Sequence, residues 1–148
     1  VAFAAAAAAG QSFTLPEIRQ TLVITRLSGK TPMPEQESLR ALAATGAALA
    51  VYLSAEYAGR LQSELLEAGL APDTKVIVGH RVSWPDGSVA ATRLADLAEF
   101  ARARKFSRQT IFLVLPGETF DPERKAASDP GTVSRLYAAE FGHGFRGF

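Results

Sequence analysis

Apolar and polar positions along the chain switch between two periods. "QTLVIT", Gln20–Thr25, is a short β-branched apolar run, as a strand buried on both faces would be. "ESLRALAATG" follows as a short helix ended by Gly46, and "AALAVYLS", Ala47–Ser54, predicts the next strand. Ser54 suits the N-cap of "AEYAGRLQSELLEAG", where Leu61, Leu65 and Leu66 share a face and Gly69 stops the helix. "TKVIVGH", Thr74–His80, predicts a third strand. The turn chemistry of "WPDG", Trp84–Gly87, makes a hairpin with "SVAAT". "LADLAEFARARKF" repeats apolar residues at helical spacing, and "QTIFLVLPG", Gln109–Gly117, predicts the last strand.

Strand and helix in alternation predict an α/β layered fold with a largely parallel sheet. Ligands of such folds collect in the crevice beyond the carboxyl ends of the strands. Three loops leave those ends: Arg26–Gln36, Ser54–Glu56 and Arg81–Gly87. They converge on one edge, which is the expected ligand site. At 148 residues the chain accommodates one domain, read here as residues 1–117 with an extension over 118–148. The extension has mixed charges, prolines and glycines, yet also Phe120, Tyr137, Phe141, Phe145 and Phe148. So many aromatics are expected to pack, either on this domain or on a partner surface.

The N-terminal "VAFAAAAAAG" has the apolarity of a signal-peptide core without a preceding basic region. It falls well short of the roughly 20 residues of a membrane-spanning helix. It reads as the end of a packed helix with Gly10 at its C-cap. A chain that starts inside a helix without Met is expected to be part of a longer protein.

Composition narrows the chemistry. With 47% hydrophobic and 21% charged residues the chain is ordinary globular material, and a formal charge of +1 gives no global attraction to nucleic acid or to an anionic membrane. The absence of cysteine removes disulfides, thiolate nucleophiles and Cys-based metal sites, and fits a cytoplasmic protein. No G-x-G-x-x-G, P-loop, G-x-S-x-G or H-E-x-x-H occurs. His80 and His143 are the only histidines and lack metal-ligand spacing; a lone histidine at a strand end reads as a structural hydrogen-bonder. Glu35 and Glu37 suit a helix N-terminus better than acid–base work. The "TRLSGKTPMPEQESL" loop is the better clue. Arg26 and Lys30, beside Thr31 on a proline-stiffened loop, could pair with substrate carboxylates. On charge alone, ordinary surface cations on a solvated loop are the favoured reading.

"LPEIRQTLVITRLSGKTPMPEQESL", followed by "AVYLSA" and "RVSWPDG", resembles the C-terminal half of the tetrapyrrole methylases. "TR-x-x-G-x-TPMPE" and "SWPD" are the distinctive pieces, and the likeness runs from the alanine helix into "SRLYAAEFGHGFRG". It implies the second domain of such an enzyme, a layered αβα sandwich with a mixed, largely parallel sheet, whose N-terminal domain is absent here. It further implies S-adenosylmethionine as methyl donor between two α/β domains, a carboxylate-rich corrinoid tetrapyrrole as acceptor, and a homodimer. Nucleic acid, membrane and metal have no place in that scheme. By position, Leu53, Ser54 and Ala55 would line the cofactor. Arg81, Val82 and Ser83 would meet its ribose and adenine, largely through backbone groups. Ala2 and Phe3 would approach it from the alanine helix, though Ala2 stands where the family has a hydroxyl residue. A usual threonine is Arg93 here, with Thr92 available by a one-place shift. Arg26, Lys30 and Thr31 would form part of the acceptor cleft. A non-catalytic α/β module using the same crevice, and a sister methylase acting on another ring position, stay open at this point.

Overall fold

The computed structural model describes residues 1–29, 31–52, 55–106 and 108–123. Five strands form one sheet: β1 (Leu22–Arg26), β2 (Ala48–Tyr52), β3 (Thr74–His80), β4 (Ser88–Arg93) and β5 (Thr110–Thr119), in the order β1-β2-β5-β3-β4. β2, β5 and β3 lie in the middle, where both faces are covered. β2 and the first six residues of β5 are buried almost throughout, whereas the edge strands β1 and β4 are only half covered.

Helices α2 (Leu39–Ala43), α3 (Ala58–Glu67) and α4 (Leu97–Ala103) cover one face, and α1 (Ala2–Ala8) lies on the other. Strand alternation divides the core accordingly. Phe112, Val114, Leu49 and Val51 meet Leu61, Leu65 and Leu97 on the three-helix side. Ile111, Leu113, Ala48 and Ala50 lie on the side of Ala2, Ala5 and Ala6. This is the expected αβα layering. Gly10 and Gly69, both at positive φ, end α1 and α3 in Schellman fashion, with Gln11 N donating to Ala6 O at 2.9 Å and Leu70 N to Leu65 O at 3.1 Å. Ser38 caps α2, its Oγ accepting from Ala41 N at 3.2 Å, while Glu35 and Glu37 occupy the 3₁₀ turn just before it.

The sheet is mixed, but less parallel than the alternation predicts. β1 and β2 pair in parallel; β2–β5, β5–β3 and β3–β4 are all antiparallel. The cause is the hairpin through Trp84–Gly87. β4 carries the chain back down the sheet, so α4 returns it to the upper edge, and β5 must enter from there. β5 also continues past Gly117 to Thr119, with a register shift opposite Thr74 and Lys75. β1, β2 and β3 nevertheless point the same way, so their carboxyl ends share one edge as expected.

A buried polar cluster ties the opposite end together. Arg19, 4% exposed, donates from Nε to Phe13 O (2.7 Å) and from Nη1 to Pro116 O (2.6 Å), and its Nη2 pairs with Glu118. Gln11 Nε2 also donates to Glu118 at 3.0 Å, and Lys75 Nζ lies 3.9 Å from it. No helix among the described residues is long and apolar enough to cross a membrane.

Candidate functional site

At the carboxyl edge of β1–β3 lies an open hollow of about 460 Å³, within the range of small-molecule sites. Three chain segments meet in it: Tyr52 at the end of β2, Arg81–Val82 after β3, and Gln109–Ile111 at the start of β5. Val1 borders it from the helix α1 side, and Glu56, Tyr57 and Trp84 form its rim. Tyr57 and Trp84, 44% and 49% exposed, are large apolar groups left open to solvent there.

The backbone around the hollow is unusual. Arg81 (φ 48°), Ser83 (φ 72°) and Gln109 (φ 62°) all lie in the left-handed region without being glycine. Such residues persist where the surrounding structure over-determines them, and they gather at ligand sites. Here Arg81 N donates to Gln109 O, while Arg81 O accepts from Trp84 N, each at 2.9 Å, so the turn is held at both ends. The Arg81 guanidinium pairs with Asp86 and stacks 4.5 Å from the Trp84 ring centroid. Gly87 closes the turn because a Cβ there would fall 2.3 Å from Arg81 O. Below, Gly79 lets α1 approach: its Cβ would meet Val82 Cγ2 at 2.7 Å and Ala5 Cβ at 3.2 Å.

The sequence-assigned residues distribute unevenly around this hollow. Arg81 and Val82 line it, and Ser83 follows directly in the same turn. The Arg81 amide and carbonyl are, however, both engaged within the turn. Ala2 is buried and touches the hollow's wall through its amide, which donates to Tyr52 Oη at 3.1 Å. Phe3 points away; it is 68% exposed and packs edge-on against Phe13. Thr92 is buried opposite Val76, four residues below the edge pair His80–Ser88 and so about 13 Å from it. Arg93 Nε instead donates to Asp96 Oδ2 at 2.7 Å, and that bond, with the Asp96 charge, raises its pKa. Arg26 stands at the end of β1 next to Tyr52, yet neither it nor Thr31 lines the hollow. Its Nη1 donates to Leu27 O and Thr31 O at 3.3 Å, so it clasps its own loop. Leu53, Ser54, Lys30 and the Ala55 side chain lie outside the described residues, as do His143 and the tail aromatics beyond Phe120.

His80 behaves as a structural residue: Nδ1 lies 3.0 Å from Thr110 Oγ1 and the ring stacks on Phe106. Among the described residues no group of three or more metal-ligating side chains comes together. Reading the sequence missed Val1, Tyr52 and Tyr57 and the whole β5 contribution of Arg108, Gln109, Thr110 and Ile111. A parallel β5 would start at the opposite edge; the hairpin before it was the available signal that it does not.

The sheet, its lone α1 layer and this edge hollow together define a domain of one class. The chain belongs to the family described as tetrapyrrole (corrin/porphyrin) methylases, whose model matches residues 1–98. Among its relatives, the cobalt-precorrin-4 C(11)-methyltransferase of Priestia megaterium is 38% identical over 97% of this chain and 54% of its own length. The precorrin-4 C(11)-methyltransferase of Pseudomonas aeruginosa is 40% identical over 97% of this chain and 54% of its own length. A solved structure of a cobalt precorrin-4 methyltransferase of cobalamin biosynthesis superposes with a TM-score of 0.74 at 36% identity, over 76% of this chain and 47% of that one. The chain thus spans about half the length of the curated relatives it matches.

Proposed function

We propose that this chain is the second α/β domain of an S-adenosylmethionine-dependent methyltransferase that acts at C-11 of precorrin-4 or its cobalt form. The observation carrying this reading is the convergence of the strand-end segments of β2 and β3 and the start of α1 on one hollow. Those are three of the four places that the family resemblance assigns to the cofactor; the fourth, Thr92, lies below the sheet edge and away from the hollow.

The hollow's residues fit that group. Aromatic rims and the Glu56 carboxylate suit a sulfonium cation, and the apolar Val82 and Ile111 suit a nucleoside body. When bound, the cofactor supplies an already activated methyl, so no metal or covalent enzyme intermediate is required. The protein's work is alignment and exclusion of water. The strained turn at Arg81–Ser83 gives a preformed wall for alignment, with the backbone of Val82 and Ser83 as the part not locked by the Arg81 contacts. The facing wall, in this reading, lies in the remaining half of the relatives' length.

One wall binds weakly, because few contacts must offset the entropy of association. Saturation-transfer NMR on the 148-residue chain with millimolar S-adenosylhomocysteine is expected to show transfer to the adenine and ribose protons. No transfer to the ligand from a folded chain overturns the cofactor reading. Tight stoichiometric binding by calorimetry would show instead that no second wall is needed.

The loop after β1 belongs to the acceptor side. Since Arg26 clasps that loop, its effect on the acceptor combines charge with loop order. In a protein of the relatives' full length, Arg26→Ala is expected to raise the acceptor KM about tenfold with the S-adenosylmethionine KM unchanged. An unchanged acceptor KM removes the loop from the cleft.

A further inference from the structure

The antiparallel course of β5 brings to the hollow a segment with its own chemistry. Residues 102–108 contain Arg102, Arg104, Lys105 and Arg108, four of the chain's 16 lysines and arginines, in a protein of net charge +1. All four are exposed. Elsewhere, Arg19, Arg60, Lys75, Arg81 and Arg93 each face a carboxylate. The four cations of the α4–β5 turn have no ion-pair partner among the described residues. Arg108 itself lines the hollow, whereas the neighbouring Arg81 charge is already matched by Asp86.

Lys105 (φ 52°) and Gln109 (φ 62°) lie in the left-handed region, and the Arg104 guanidinium rests 4.5 Å from the Phe100 ring centroid. That ring packs against Phe106, which stacks on His80 at the end of β3. The Arg104 charge therefore rests on a row of packed rings rather than free in solvent. Glu99 lies one turn back on α4, and Glu56 lines the same hollow as Arg108.

We infer that the α4–β5 turn is a recruiting site for the carboxylate-rich acceptor, drawing it by charge to the hollow's rim. This rests on the methylase reading above. Acetate and propionate groups are ionised at neutral pH, guanidinium groups grip them in pairs, and an unmatched cluster at a cleft mouth raises encounter rates. Arg26 on the β1 side and this turn on the β5 side would then hold the acceptor's periphery from two directions.

The probe is uroporphyrin I, an octacarboxylate macrocycle, titrated into the 148-residue chain. Trp84, the single tryptophan, stands on the hollow's rim and reports occupancy by quenching. Binding is expected to weaken about tenfold between ionic strengths of about 0.05 M and 0.5 M. Arg102→Glu with Arg104→Glu and Lys105→Glu should weaken it about tenfold at the lower salt. The milder set Arg102→Gln, Arg104→Gln and Lys105→Gln should weaken it in the same direction, and serves if charge reversal disturbs folding. A wild-type chain that leaves the porphyrin unbound, or variants that bind as it does, overturn the recruiting site. So does a short single-stranded oligonucleotide that competes as well as the porphyrin, because the patch would then take any polyanion. The S-adenosylhomocysteine experiment is independent of this one. Charge-dependent porphyrin binding without transfer to S-adenosylhomocysteine would keep the recruiting site and remove the cofactor reading; the reverse result would do the opposite.

Discussion

Arg19→Met lowers stability by about 3 kcal/mol, the bottom of the range for breaking a buried pair by removing one partner. The side chain is almost the right volume, so the loss is electrostatic. Two backbone carbonyls, of Phe13 and Pro116, lose their donors. Glu118 loses its paired guanidinium but is not stranded, because Gln11 still donates to it and Lys75 stays 3.9 Å away. That residual partnership is why the figure belongs at the lower end. For a chain of this length it corresponds to a fall in Tm of roughly 6–12 °C. Glu118→Gln in the Arg19→Met background should recover part of the loss, since the coupling belongs to the pair. A fall in Tm below about 3 °C would mean that the cluster is solvated in solution and pins nothing.

Gly79→Val has an effect of similar size by a different route, and it reaches the site. The added Cβ would lie 2.7 Å from Val82 Cγ2, 3.1 Å from Ile111 Cγ2 and 3.2 Å from Ala5 Cβ. None of these atoms yields easily: two belong to β-branched side chains with few rotamers, and the third is fixed to a helix. α1 must lift from β3, at a cost of about 3 kcal/mol, the upper part of the overpacking range. Val82 and Ile111 line the hollow, so transfer to S-adenosylhomocysteine should vanish with it. Gly59→Ala is the control. Gly59 lies in α3 and its Cβ would meet Ala98 Cβ of α4 at an ordinary 3.7 Å, so the change should stabilise by about 0.4–1 kcal/mol. Thermal melts of the two variants should therefore move in opposite directions. A Gly79→Val chain that melts like the parent would show that α1 is not seated on β3.

The strand at Ala48–Tyr52 and the start of β5 were legible because an unbroken apolar run has no polar face to leave in water. Gly10 and Gly69 marked helix ends because only a residue without Cβ takes the left-handed cap freely. The Trp84–Gly87 hairpin was legible from its turn residues, but the direction it imposes on β5 depends on the path through the sheet. Arg26 illustrates a different limit. Its type suggested a carboxylate partner, but a guanidinium at a strand end can turn back to its own loop's carbonyls, and no local pattern says which it does. Thr92 has the same lesson: its place in sequence near the hairpin says nothing of depth below the sheet edge.

What the sequence determined by itself was the set of elements, their layering and the edge where the first three strands end, since period and turn chemistry are local. It also carried, through "TPMPE" and "SWPD", the resemblance that the family match bears out. The tertiary structure decided where β5 goes. Inserted antiparallel between β2 and β3, it carries Arg108, Gln109, Thr110 and Ile111 to the hollow, and Arg108 there has no ion-pair partner among the described residues. Strand direction is a property of the whole path through the sheet, so neighbouring residues alone cannot encode it.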